Sequence, residues 1–178
     1  MKAYITAFLT ANGNYDPDGV AWFHATHGNL GSAALSSASL DAAELALMTQ
    51  TEKDSNNPLG FPLEWLMVPP ALKATAMQIN RNDTGTNNWY QRFGANNERI
   101  FVNELLTDTN DWYAGCFPSY APVLEVGFLD GIETPQIFLA NQPTVGVTFS
   151  NDQIQYKVKS VFGGKPVDFR PIFKAVVA

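Results

Sequence analysis

His24 and His27, three residues apart, are the first pair in this chain spaced for chemistry. Two imidazoles at that separation can share a metal ion. A zinc site takes three or four ligands, however, and no third ligand stands nearby, since Cys116 and the carboxylates are remote in sequence. The competing reading is that the ring nitrogens satisfy backbone groups around a turn at His27-Gly28-Asn29. A metal-dependent hydrolase using His24 and His27 is therefore an alternative without a complete ligand set. Acid–base catalysis needs two carboxylates in one cleft with separated pKa values. Glu125, Asp130, Glu133 and Asp168 are available. Asp130-Gly131 reads as a turn between strands, and Asp168 and Arg170, two apart on a strand, read as a surface pair of small energetic value. No serine lies in a GxSxG elbow. Gly28-Asn29-Leu30-Gly31 and Gly163-Gly164-Lys165 match neither a phosphate-binding loop nor a dinucleotide fingerprint. Cys116, the only cysteine, reads as a small apolar core residue. No catalytic residue, cofactor or metal is assigned.

Trp22, Trp65, Trp89 and Trp112, with six tyrosines, raise a second alternative. A standalone binding module could take a glycan or a host protein on exposed rings. Trp65 stands in an apolar run and reads as core, and Trp112-Tyr113 is expected on a strand with one ring in and one out. The charge balance excludes other partners. The net charge is −6, with only 11 Lys and Arg, whereas nucleic-acid binding relies on Lys and Arg neutralising phosphates. Anionic membranes are disfavoured for the same reason. Charged residues make up 16% of the chain against the usual ~25%, so much of the surface is neutral polar or apolar and suited to lying against a partner. The 178 residues suffice for one domain, or one domain with a small lobe. A lone cysteine excludes an internal disulfide. No signal peptide or membrane-spanning stretch is read, and the protein is expected to be soluble and made inside the cell.

These residues must be positioned by a mixed set of elements. Residues 1–11 carry Ile5, Phe8 and Leu9 at helical spacing and read as the last turns of a longer helix. Asn12-Gly13-Asn14 and Asp16-Pro17-Asp18-Gly19 are turn chemistry, and Val20 to Phe23 is expected as a short strand. Ser39 reads as the N-cap of a helix carrying Leu40, Ala43, Leu47 and Met48 on its apolar stripe. That helix stops before the turn residues from Asp54 to Pro58. Glu64 to Val68 reads as a buried strand. Pro69-Pro70 then opens a helix over 71–81, with Leu72, Ala76 and Ile79 on one face. Residues 81–97 form a long polar loop, unusual inside a compact domain, yet it holds Trp89, Tyr90 and Phe93. Strands are expected at 99–106, 111–117, 123–129, 135–139, 145–149, 153–162 and 166–174. In 153–162, Ile154, Tyr156 and Val158 alternate with Gln155, Lys157 and Lys159, the period of a half-exposed strand. Gly163-Gly164 is expected to turn it into a hairpin with the next strand. The fold class is α+β.

Several stretches, in order, are similar to the Mu-like major head subunit family of tailed bacteriophages, with its Hong Kong 97-type capsid fold. They are Trp22-Phe23-His24-Ala25-Thr26-His27-Gly28-Asn29-Leu30, Leu66 to Leu72 with Ala76, and Thr109-Asn110-Asp111-Trp112-Tyr113. Pro122 to Gly131 follows with Glu133 and Pro135, then Tyr156-Lys157-Val158-Lys159, Phe162-Gly163 and Val167-Asp168-Phe169-Arg170. The resemblance implies a structural capsid subunit without catalysis. Residues 1–31 would hold the end of a spine helix and part of a peripheral domain, 32–150 mainly an axial domain, and 151–178 peripheral-domain strands. It implies an N-terminal arm, an extended loop and most of the spine helix that this chain lacks. The expected partners are other copies of the chain in capsomers and other phage head proteins. The expected location is the virion capsid, after synthesis in the bacterial host cytoplasm. Trp89, Tyr90 and Arg92 would be subunit-interface residues, types favoured at interface centres. The N- and C-terminal segments are expected in one shared sheet.

Overall fold

The computed structural model describes residues 1–82, 88–140, 151 and 154–178. Among these, three α-helices form: α1 (Lys2–Ala11), α2 (Ser37–Met48) and α3 (Lys73–Arg81). The α+β expectation is met, and the chain divides into two compact units. One spans residues 1–123 and 166–178, the other 124–165.

The first unit is organised by a five-stranded mixed sheet. Its strands are β1 (Leu30–Gly31), β2 (Trp65–Val68), β3 (Ile100–Val102), β4 (Trp112–Gly115) and β9 (Ile172–Ala175), in the order β1-β9-β4-β2-β3. The outer pairs, β1 with β9 and β2 with β3, are parallel, and the inner pairs are antiparallel. Segments from both ends of the chain thus share one sheet, as expected. Every residue of β4 and β9 is buried, because both faces of the sheet are covered. On one face, Trp112, Ala114 and Phe173 join Leu40, Ala43 and Leu47 of α2, Ala76 of α3, and Trp89 and Phe93 in the main core. On the other, Tyr113 meets Phe23, Phe23 meets Trp22, and Trp22 meets Phe8 of α1. This corrects the expectation for Trp112-Tyr113. The strand does alternate, but each ring enters a covered face, and both are buried.

Helix α2 starts earlier than expected. Ser36, not Ser39, is the N-cap. The Ser36 hydroxyl accepts from the Ser39 N–H at 3.1 Å, and the Ser39 hydroxyl accepts from the Ser36 N–H at 2.8 Å. This reciprocal pairing satisfies two otherwise orphan donors. Leu40, Ala43 and Leu47 are wholly buried, while Met48 at the last position is exposed. Burying each leucine contributes about 1.5–3 kcal/mol. A one-turn helix at Pro70–Leu72 leads into α3, on which Ala76 and Asn80 are buried and Leu72 and Ile79 pack at the core's edge. Val20 to Phe23 is not a strand. A single bridge joins Asn14 to Ala21, and Trp22 and Phe23 are held by packing and by hydrogen bonds from their N–H groups to the Gly13 carbonyl and Asn12 Oδ1.

The polar loop is anchored by a buried amide. Asn80 donates to the Gly94 carbonyl at 2.7 Å and to Asn97 Oδ1 at 2.9 Å, and its Oδ1 accepts the Phe93 N–H at 2.9 Å. Phe93 and Trp89, stacked at 5.3 Å, are thereby fixed in the core. Residues 83–87 of this loop lie outside the described residues, as does the strand expected at 145–149.

The second unit pairs β5 (Leu124–Phe128) with β8 (Phe162–Pro166), and β6 (Gln136–Ala140) with β7 (Gln155–Lys159). Gly163-Gly164 is therefore not a turn, and β7 forms no hairpin with the segment after it. Both glycines lie inside β8. Glycine permits a turn but does not impose one, and neither residue has positive φ.

Trp89→Ala is expected to lower unfolding free energy by about 3–5 kcal/mol, because it empties a closed core site. Tyr90→Ala, next in sequence but exposed, should change it by no more than about 0.5 kcal/mol. Urea denaturation of the two variants beside the wild type checks this contrast.

Candidate subunit interface

The histidine pair is a structural latch. His27 is buried and stacks on Phe169 at 3.9 Å. Its Nδ1 lies 3.1 Å from the Trp22 carbonyl oxygen, and its Nε2 lies 2.7 Å from Asp18 Oδ2. Both ring nitrogens are thus taken up by contacts within the chain. His24 Nδ1 accepts from the Thr26 N–H at 3.2 Å and contacts the Thr26 hydroxyl at 2.7 Å. Among the described residues, no group of three or more His, Cys, Asp or Glu side chains is placed to hold a metal ion. The imidazoles instead satisfy groups around their own turn.

Asn29, which the sequence reading did not single out, does more to hold this region. It is wholly buried. Its Oδ1 accepts the His24 N–H at 3.1 Å, and its Nδ2 donates to the carbonyls of Trp22 at 2.9 Å and Phe169 at 3.1 Å. Asp168 and Arg170 lie in the turn before β9 rather than on a strand. Arg170 Nη2 sits 2.6 Å from Asp168 Oδ2, and Nη1 donates to the Thr51 carbonyl at 3.3 Å. Glu125, Asp130 and Glu133 belong to the second unit, and Asp168 to the first. Cys116 is buried, and burial pushes its thiol up to about 11, with Glu64 adding to the effect. A thiol in that environment is inert.

The three expected contact residues have different fates. Trp89 is wholly buried and donates from Nε1 to Asp41 Oδ1 at 2.8 Å. Arg92 lies over the Trp89 ring at 4.1 Å and makes a two-point pair with Glu44 on α2. Tyr90 is exposed. The loop therefore presents Tyr90 outward on a base fixed by its two neighbours. Of the four tryptophans, Trp22, Trp89 and Trp112 are buried, and Trp65 is half-buried with its Nε1 donating to the Cys116 carbonyl at 2.8 Å. None of the four tryptophans belongs to the exposed class.

Among the described residues, the β6–β7 ribbon carries an uncovered apolar surface. Register sets Ile137 opposite Val158 and Leu139 opposite Tyr156. Side chains alternate across a strand, so these four share one face. Gln136, Phe138, Ala140, Gln155, Lys157 and Lys159 share the other. All ten residues are exposed. The alternation read along β7 is present, but the strand is not half-buried, because none of the described residues of the second unit covers its apolar side.

The Asp18 carboxyl is held below its ordinary pKa, first by the Val20 N–H and then by His27. Its contribution to stability is thus complete above pH 3.8, the ordinary value, and is lost as pH falls through the lowered one. Asp18→Asn should therefore melt lower than wild type at neutral pH, and the gap should close in strong acid. Thermal melts across that range check it. Cys116 should react with a thiol reagent only as fast as the protein unfolds, so its labelling rate should rise steeply with urea.

A search of curated proteins returns no match. The family model described as phage capsid protein matches residues 2–175. With nearly the whole chain inside that match, the chain belongs to the phage capsid protein family.

Proposed function

We propose that this chain is a structural subunit of a bacteriophage or prophage head of the Mu-like kind. It builds capsomers by contacts with copies of itself and with other head proteins, and performs no catalysis. The observation that carries the reading is the family match over residues 2–175. The geometry supports it. The histidines and Cys116 are committed to packing and hydrogen bonds, while a ten-residue ribbon and Tyr90 are left exposed. In this reading residues 32–150 are mainly the axial region near a capsomer centre, and 1–31 and 151–178 are peripheral. The pairing of β1 with β9 supports joining those two end segments. Tyr90, backed by Trp89 and Arg92, is a contact around the capsomer axis. The protein is made in the host cytoplasm and resides in the virion shell. Its acidic balance suits a shell that must not cling to enclosed DNA.

The purified chain should sediment as concentration-dependent multimers, with rings or shell fragments visible by negative-stain electron microscopy. A chain that remains monomeric at every attainable concentration overturns the reading.

A further inference from the structure

The five-stranded sheet ends on β3, and β3 has an open edge. The Leu66 N–H donates to the Arg99 carbonyl at 3.0 Å, and the Asn103 N–H donates to the Val68 carbonyl at 2.9 Å. With Phe101 in register opposite Met67, these bonds turn the backbone groups of residues 99, 101 and 103 toward β2. Alternation along the strand turns those of Ile100 and Val102 outward. The Ile100 N–H is taken by the Asn97 carbonyl at 3.1 Å. Among the described residues, nothing pairs with the Ile100 carbonyl or with the N–H and carbonyl of Val102.

Edge strands in natural proteins are commonly guarded by lysine or proline against pairing with another chain. β3 is short, but no charge and no proline falls between Ile100 and Asn103. The flanking Arg99 and Glu104 are engaged within the chain by Glu64 and Lys2. Phe101 is 47% exposed. The opposite edge offers less. β1 has two residues, and Asn29 and Gly31 accept from the N–H groups of Lys174 and Val176, which leaves only Leu30 facing outward.

We propose that β3 pairs antiparallel with β3 of a second copy, across a two-fold axis at Phe101. The edge is self-complementary. The Val102 N–H of each copy donates to the Ile100 carbonyl of the other. Phe101 then faces its own counterpart at a non-hydrogen-bonded site, where Cα atoms stand about 4.5 Å apart and aromatic pairs attract. The paired strands are neutral, so two chains of net charge −6 meet there with no like charges opposed. The contact rests on the reading of the chain as a self-assembling subunit, and it specifies the geometry. It is isologous and joins two five-stranded sheets into one. Three strand residues per side fall far below the ~20–30 of a standard stable interface. The contact is therefore weak singly and acts beside others in an assembly.

Charge placed on the axis tests it on the full chain. Phe101→Lys and Phe101→Glu should each raise the concentration needed for association by at least about tenfold, because like charges then stand directly opposite. Mixing the two in equal amounts should restore association, since the two-fold sets Lys against Glu, and sedimentation velocity should show hetero-dimers. Their melting temperatures should stay at the wild-type value, as the ring is half exposed. Phe101→Cys should form a disulfide-linked dimer on mild oxidation, because the expected Cα separation suits a disulfide and Cys116 is buried. If the charged variants melt lower than wild type, the cysteine variant decides alone. If the charged variants associate like wild type, or Phe101→Cys does not link, the pairing is overturned while the capsid reading stands. If both charges weaken association and mixing does not restore it, Phe101 meets a different surface and the two-fold is refuted. A dimer linked through Leu30→Cys in place of Phe101→Cys puts the contact at β1 and also overturns it. A wild type that stays monomeric at every attainable concentration overturns both the pairing and the capsid reading.

Discussion

The first unit depends on β9 occupying the gap between β1 and β4. Trp112, Tyr113, Ala114 and Gly115 pair with Ala175, Lys174, Phe173 and Ile172, and without that pairing the sheet divides into two fragments. A charge is buried at the join. Lys174 lies 3.3 Å from Asp111, both side chains about 10% exposed, and its ammonium sits 5.4 Å from the Tyr113 ring centre. Asp111 also accepts the Val177 N–H at 3.0 Å. Burying two charges is offset only when pairing and hydrogen bonds are good, and removing one partner typically costs about 3–5 kcal/mol. The pair therefore favours one register over a slipped one, since a shift by one residue would carry Lys174 to the opposite face, against Trp112 and Ala114 in the main core.

Much of this architecture was legible from periodicity. The stripe Leu40, Ala43 and Leu47 and the strand ending at Val68 stand where the spacing put them, because each buries a face against the same core. The failures have physical causes. Ser36 and Ser39 are both competent caps, and only their reciprocal hydrogen bonds choose between them. Gly163-Gly164 resembles turn chemistry, yet pairing with β5 supplies hydrogen bonds that an isolated dipeptide lacks. Trp112-Tyr113 alternates as a half-buried strand would, but alternation cannot tell how many faces the rest of the chain will cover.

The same ambiguity explains why the exposed surface was only partly visible. The loop residues Trp89, Tyr90 and Arg92 drew attention by type, but their roles divide between core, surface and an ion pair with Glu44. The alternation of Ile154, Tyr156 and Val158 signalled a face that seeks cover. Sequence does not say whether that cover comes from within the chain or from outside it. In the first unit the central strands β4 and β9 are buried on both faces, while Leu30 of β1 and Phe101 of β3 stay exposed at the sheet's edges. In the second, no described residue covers the apolar face of the ribbon.

The position of β9 also sets an order of events during synthesis. Trp22 and Asn29 bond to the carbonyls of Asp168 and Phe169, partners 146 and 140 residues away. Such pairings form late and slowly, since long loops must close before any contact rewards them. While the ribosome is still making residues after β4, that strand has an open edge, and Tyr113 lacks its neighbour Lys174. Nascent chains of a protein needed in many copies would then carry unpaired strand edges side by side, a hazard for aggregation. The topology thus leaves that edge open until β9 emerges.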